Sequence, residues 1–294
     1  MSNDMSESPI RNISDTARWA AVYRARETER TDAVFRDPFA GRLAGERGEE
    51  IANTIDFSSR NAWSWIARTY LFDAFLMEEL HQGVDMVVNL AAGLDARPFR
   101  MDLPPSLKWI EVDLPEIVEY KQDVLAPDAP NCQLERVALD LANVSARREL
   151  FEQLARRAEK ALIVTEGLLI YFTEEEAGSF AKDLSALNSF QIWILDLASP
   201  GLLKLLKDRM GKEMGEGAVL RFASPEGPDF FRRFGWEPIK TKSLLKTARR
   251  LHRLPTFLRL LAPLTPEVPT PQQSKRPWGG VCVLKNSHIT STRI

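Results

Sequence analysis

The sequence predicts an α/β fold, a doubly wound and mostly parallel sheet of seven strands with a helical N-terminal extension and a C-terminal insertion. Two observations carry this expectation. Short β-rich runs alternate with helix-patterned segments through the middle of the chain, which is the signature of βαβ units and a parallel sheet. The first run ends in a glycine turn and the next two end in carboxylates. In open parallel sheets ligands bind beyond such strand ends.

The elements follow in order. Residues 1–83 read as a helical cap. Ser14 is placed to cap a helix over 18–29, and Asp37-Pro38 breaks the chain. A stronger helix follows Ser58-Ser59, with Trp63, Ile66, Ala67, Tyr70, Leu71 and Ala74 at helical spacing and Gly83 at its expected end. From Asp85 the period changes, and residues 84–294 read as the sheet domain, continuous with the cap. Strands are expected at 86–90, 107–112, 133–139, 161–165 and 190–195, with helices at 115–122, 145–159 and 173–187 between them. Two further strands are expected at 236–241 and 280–284. Between them lies an insertion, 244–277, that starts as a basic helix-like stretch and continues as a proline-rich loop.

Composition narrows the function. The chain has 294 residues, 44% of them hydrophobic, and 39 basic against 41 acidic side chains. Burial of about three quarters of the unfolded chain's surface is expected at this length, so no staple is needed. The charge balance argues against nucleic-acid binding through bulk charge. Only Cys132 and Cys282, and His81, His252 and His288, are present, with no CxxC or HExxH spacing, which argues against structural zinc. The first nine residues are polar and acidic, unlike a secretory signal, and no apolar run approaches the roughly 20 residues of a membrane span. The expectation is a cytoplasmic protein with reduced thiols.

The strand ends carry the chemistry. The first leads into Ala91-Ala92-Gly93-Leu94-Asp95-Ala96, where Gly93 lets the backbone approach a ligand. The second ends at Asp113, about where a carboxylate would accept from ribose hydroxyls, although a helix cap before Pro115 is the plainer reading. The third ends in Leu139-Asp140-Leu141, where Asp140 could accept from an adenine amino group and the following N–H could donate. Glycine, acid and acid in succession suit an adenosyl ligand without a pyrophosphate, and so S-adenosylmethionine before NAD.

The run from Asn89 to Arg97 resembles the first motif of the leucine carboxyl methyltransferase-like family of class I, Rossmann-like methyltransferases. Glu111-Val112-Asp113-Leu114-Pro115 resembles its second motif, and the run from Thr165 to Phe172 its fourth-strand motif. The stretches Asp15-Thr16-Ala17-Arg18, Arg24-Ala25-Arg26-Glu27-Thr28 and Phe35-Arg36-Asp37-Pro38-Phe39-Ala40 resemble the bacterial and mycobacterial branch, which includes polyketide carboxyl methyltransferases. Ala91 departs from the pattern, since the family usually has glycine there. The resemblance implies an S-adenosylmethionine site in which Gly93 lies beside the methionine part, Asp113 on the ribose, and Asp140 and Leu141 at the adenine. It further implies Arg68, with Arg24 as a second basic contact, at the ligand carboxylate, and Glu166 near its amino group. For both arginines a solvated helix face is the plainer alternative.

The expected reaction is O-methylation of a small anionic acceptor, with a carboxylate favoured because it is already ionised at neutral pH. A hydroxyl acceptor would call for a general base, and His252, Tyr171 and scattered carboxylates form no recognisable arrangement. A hydroxyl-directed O-methyltransferase, an NAD(P)-dependent oxidoreductase and a non-catalytic adenosyl-binding module stay open, as does the oligomeric state. The run 240–259 holds Lys240, Lys242, Lys246, Arg249, Arg250, Arg253 and Arg259 and no acid. It is expected to pack on the domain through Leu244, Leu245, Ala248 and Leu251, the alternatives being a membrane-surface helix or a basic rim for the site.

Overall fold

The computed structural model describes Ile10, residues 13–211 and residues 218–288, the side chains of residue 13 and residues 56–60 excepted. The polar N-terminal stretch and the end of the tail lie outside the described residues. Seven strands form one sheet: β1 Met86–Leu90, β2 Lys108–Asp113, β3 Gln133–Ala138, β4 Ala161–Thr165, β5 Phe190–Ala198, β6 Trp236–Ser243 and β7 Gly279–Asn286. Their spatial order is β3-β2-β1-β4-β5-β7-β6. The first five run parallel, and β7 is antiparallel to both β5 and β6. The order reverses between β1 and β4, which makes that crevice the switch point where a ligand is expected.

Every residue of β1 and β4 is buried, because helices cover both faces of a parallel sheet. One face takes Val88, Leu90, Ile110, Ile163 and Trp193 against Phe151 of α6 (Val144–Ala155) and Phe180 and Leu184 of α7 (Glu174–Ser185). The other takes Val87, Trp109, Leu162, Val164, Ile192 and Ile194 against Leu71, Phe72, Phe75 and Leu76 of α3 (Asp56–Leu80). Alternate residues of one strand thus feed two cores. A third core holds Trp19 and Val22 of α1 (Ile13–Thr28), Leu43 and Ile51 of α2 (Ala40–Thr54), and Leu94, Ala96 and Phe99 from the chain just after β1. α1 and α2 therefore sit at the carboxyl end of the sheet, while α3 covers one of its faces.

Several expected bounds move. α1 starts at Ile13, so Ser14 lies in its first turn and does not cap it. α3 starts at Asp56 and takes Ser58 and Ser59 inside; Gly83 follows its end with φ +88°. The helix expected over 145–159 starts at Val144, capped by the Asn143 side chain, and stops at Ala155. α2 has no counterpart among the expected elements: glycines at 41, 45 and 48 dilute its pattern, and Gly45, at φ +61°, kinks it. α8 (Pro200–Met210), capped by Ser199, was likewise not expected. The insertion holds α9 (Leu244–Arg250) and α10 (Thr256–Leu261), separated by Pro255. Thr247 and Ala248 of α9 are buried, while Arg249 and Arg250 point to solvent. The remaining helices are short α4 (Arg97–Arg100) after β1 and α5 (Pro115–Leu125) after β2. No helix of the described residues is long and apolar enough to cross a membrane.

Candidate active site

A cavity of about 550 Å³ opens at the carboxyl ends of β1, β2, β4 and β5, within the range of small-molecule sites. Of the residues singled out from sequence, Arg24, Arg68, Gly93, Asp113 and Glu166 line it. Asp140 and Leu141 do not. Asp140 is exposed and its carboxylate accepts from the Ala142 N–H at 2.9 Å, a turn that points the chain out after β3. Leu141 is buried in the sheet core, and its carbonyl accepts from Arg147 at 3.0 Å.

The turn after β1 is built on left-handed backbone. Gly93 has φ +49°, and a Cβ there would meet the Ala17 side chain of α1 at 3.3 Å. Ala91 has φ +53°. Its methyl carries the strain, about 1–2 kcal/mol, that glycine avoids, which is the physical reason a glycine suits this position. The Gly93 N–H donates to Asp113 at 2.6 Å, and the other Asp113 oxygen accepts from the Leu114 N–H at 2.8 Å. Asp113 is therefore a brace between two strand-end loops and does not cap α5, whose N-cap is Leu114. Burial pushes its carboxyl above the usual range against those two N–H bonds.

The two arginines singled out stand at opposite ends of one chain of ion pairs. Arg68 lies between Glu166 (3.1 Å) and Asp196 (3.4 Å) and stacks over the Trp65 ring at 4.5 Å. Gly167, at φ +72°, admits it: a Cβ there would lie 3.3 Å from the Arg68 guanidinium. Glu166 also takes Arg97 (2.9 Å), which reaches Asp95 (2.9 Å) and Asp73 (2.6 Å). Asp73 holds Arg100, Arg100 approaches Asp37 at 3.8 Å, and Asp37 holds Arg24 at 2.8 Å. Arg24 then donates to the Leu94 carbonyl at 2.6 Å, tying α1 to the glycine turn. Burial works against the Arg68 charge, but Asp196 and Glu166 outweigh it and raise its pKa. Burial pushes the Asp196 carboxyl up, against the pull of Arg68 and the Gly167 N–H.

Sequence reasoning missed Arg97, whose side chain is only 3% exposed and has three carboxylate partners. It also missed Asp73, Asp95 and Asp196. The signal available was the Asp95-x-Arg97 spacing inside the first motif; nothing local marks Asp196, which meets Arg68 from 128 residues away. Two indole donors were missed as well. Trp19 and Trp63 line the cavity, and their Nε1–H groups are buried with no hydrogen-bond partner among the described residues.

The basic run does not form the lining: of 240–259, the cavity meets only Ser243, Leu244, Leu245 and Leu258. Its charges are used elsewhere, Lys246 on Glu267 at 3.6 Å and Arg253 on Glu27 at 2.8 Å, with Lys240 on Glu78. The lining holds three arginines (24, 68, 97) and four carboxylates (95, 113, 166, 196), a formal charge of −1. That set fits S-adenosylmethionine, which carries a sulfonium, an ammonium and one carboxylate, a net positive charge against the lining's −1.

The comparisons agree with this geometry. The leucine carboxyl methyltransferase family profile matches residues 17–184. A Streptomyces coelicolor protein assigned to the S-adenosyl-L-methionine-dependent methyltransferases is 34% identical over 72% of this chain and 73% of its own length. One from Parafrankia, similarly assigned, is 32% identical over 70% of this chain and 67% of its own. For one from Mycobacteroides abscessus the match, at 30% identity, spans 63% of that protein's length. Among solved structures, a DUF574 family protein from Streptomyces avermitilis superposes with TM-score 0.57 at 11% identity, over 91% of this chain and 97% of that one. A Thermobifida fusca protein gives TM-score 0.54 at 16% identity, over 95% and 96%. Motifs, switch-point cavity and relatives converge, and the chain belongs to the leucine carboxyl methyltransferase family of S-adenosylmethionine-dependent methyltransferases.

Proposed function

We propose that the protein is an O-methyltransferase that esterifies the carboxylate of a small anionic acceptor. One observation carries this reading: among the described residues, the ionisable groups around the cavity are committed to one another or to backbone N–H groups. Arg68, Arg97, Glu166 and Asp196 are interlinked, and Asp113 is held by two backbone N–H groups. All three histidines are exposed and outside the lining. Burial pushes the Tyr171 phenol up, away from use as a base. A carboxylate acceptor needs no base, since its unperturbed pKa lies near 4.

In this reading Gly93 lies along the methionine part, Asp113 accepts from the ribose hydroxyls, Glu166 faces the ammonium, and Arg68, with Arg24 behind the glycine turn, faces the ligand carboxylate. When bound, S-adenosylmethionine supplies a methyl carbon on a sulfonium, which passes to the acceptor oxygen as the carbon–sulfur bond breaks. The side chains contribute alignment and exclusion of water, the main levers for an in-line displacement. Asp196 is the one feature that favours a hydroxyl acceptor instead, being a cavity carboxyl with a raised pKa. Its oxygens, however, take the Gly167 N–H at 2.6 Å and Arg68.

The pH profile separates the two. With a carboxylic acceptor, release of S-adenosylhomocysteine should level off above about pH 5–6. A rate that climbs tenfold per unit from about pH 7 to 9 would mean a hydroxyl awaiting deprotonation, and the carboxylate assignment would fall.

A further inference from the structure

The cavity is polarised along the sheet. Its charged side chains come from the N-terminal helices (Arg24, Arg68), the ends of β1, β2 and β4 with the loops after them (Asp95, Arg97, Asp113, Glu166) and Asp196 of β5. Past Asp196, towards α8 and the antiparallel pair, the wall is made of Leu202, Leu205, Leu206, Leu220, Phe222 and Trp278. No charged side chain of the lining comes from beyond Asp196. Half of that wall belongs to α8, and none of that helix's leucines is buried; Met210 is its one buried residue. The leucines of α8, arrayed around open space and left partly exposed, are ligand-facing surface.

The apolar surface continues outward. Leu258 of α10 lines the cavity, and the same short segment carries Phe257, Leu260, Leu261 and Leu264 on its outside, each 52–78% exposed. Large apolar side chains gathered beside a cavity mouth mark a binding surface.

From these observations we infer that the methyl acceptor is an amphiphilic monocarboxylate: a single anionic head at the charged end of the cavity, and an apolar body along the wall of Leu202, Leu205, Leu206, Leu220, Phe222 and Trp278, with α8 setting its length. This rests on the carboxylate reading for the head group, whereas the apolar chamber stands on the lining itself. A second charge on the body would be desolvated without a partner, which is costly.

The test uses the full-length protein with straight-chain alkanoic acids of increasing length and, at matched length, their α,ω-dicarboxylate counterparts. Binding is read by calorimetry in the presence of S-adenosylhomocysteine, and turnover by its release from S-adenosylmethionine. Affinity and kcat/KM should rise about fourfold per added methylene until the chamber is full, and a matched dicarboxylate should bind at least about 100-fold more weakly. Leu205→Trp should shift the optimum to shorter chains and leave S-adenosylmethionine affinity unchanged. Affinity independent of chain length, or dicarboxylates bound as tightly as monocarboxylates, would overturn the inference. Chain-length-dependent binding without turnover of any acid would sink the carboxylate reading and keep the apolar chamber. Failure to bind S-adenosylmethionine at all would show up separately, in the same calorimeter, as a failure of the cofactor site.

Discussion

The N-terminal helices and the late insertion both bring arginines towards the carboxyl end of the sheet, and they end in opposite states. Arg24 and Arg68 are drawn inside, each against a carboxylate, and joined through Asp37, Arg100, Asp73, Arg97 and Glu166. Arg249 and Arg250 stay in solvent, although their run is denser in charge. The difference lies in what the partner surface offers. Desolvating a guanidinium costs several kcal/mol unless a carboxylate meets it with good geometry. The loops after β1 and β4 offer such carboxylates at Asp95 and Glu166, and β5 offers Asp196. Arg253 follows the rule from within the run: its side chain, only 5% exposed, is drawn onto the carboxylate of Glu27 at the end of α1.

The hub of the inner network should show the largest effect. Arg97→Met leaves Asp73, Asp95 and Glu166 without their shared cation, a loss of about 3–5 kcal/mol. The melting temperature should fall by about 10 °C; a change under about 2 °C would mean that the network does not act as a unit. Next comes the brace at the glycine turn. Asp113→Ala removes a charge-assisted partner of about 1.5–3 kcal/mol and should weaken S-adenosylmethionine binding about 10- to 150-fold by calorimetry, with wild-type affinity speaking against any ribose contact.

Acid titration tests the same network from the carboxylate side. Burial would push the Asp95 carboxyl up, but Arg97, Lys121 and Arg100 outweigh it and hold it at about 2, below the 3.8 of a free aspartate. A depressed folded-state pKa stabilises above the unfolded value and is lost as pH falls through the folded one. Asp95 should thus contribute roughly 2 kcal/mol at neutrality. That contribution fades between about pH 4 and 2, seen as a shift of the urea midpoint that Asp95→Asn should largely abolish. The outer run should give the smallest effect. Arg249→Glu with Arg250→Glu should change stability by no more than about 0.5 kcal/mol and leave cofactor affinity alone. Any loss in kcat/KM for an anionic acceptor should vanish with added salt, because exposed charges are screened beyond roughly 8 Å. A salt-insensitive loss would place those arginines closer to the acceptor than the lining does.

Much of the architecture was legible locally. β1 and β4 have the bounds that their β-rich runs predict, and Gly93 and Asp113 could be placed at strand ends before any fold was known. α2 was not legible, because glycines mask its apolar face and a kink divides it. α8 escaped because its leucines face a cavity, so their spacing reads no differently from a surface helix. Asp140 illustrates the converse: a residue of suitable chemistry at a strand end, which its own turn directs into solvent.

The sequence by itself determined the alternation of strands and helices, the glycine turn after the first strand and the family to which these motifs point. Each of those is written in residues within a few positions of one another, where backbone sterics and side-chain periodicity act. Only the tertiary structure decided which charges count. Arg97 meets Glu166 across 69 residues and Arg68 meets Asp196 across 128, and no local pattern encodes such pairs. Whether an arginine is a solvated decoration or part of the site depends on a carboxylate being present where the folded chain desolvates it, and that is a property of the assembled sheet.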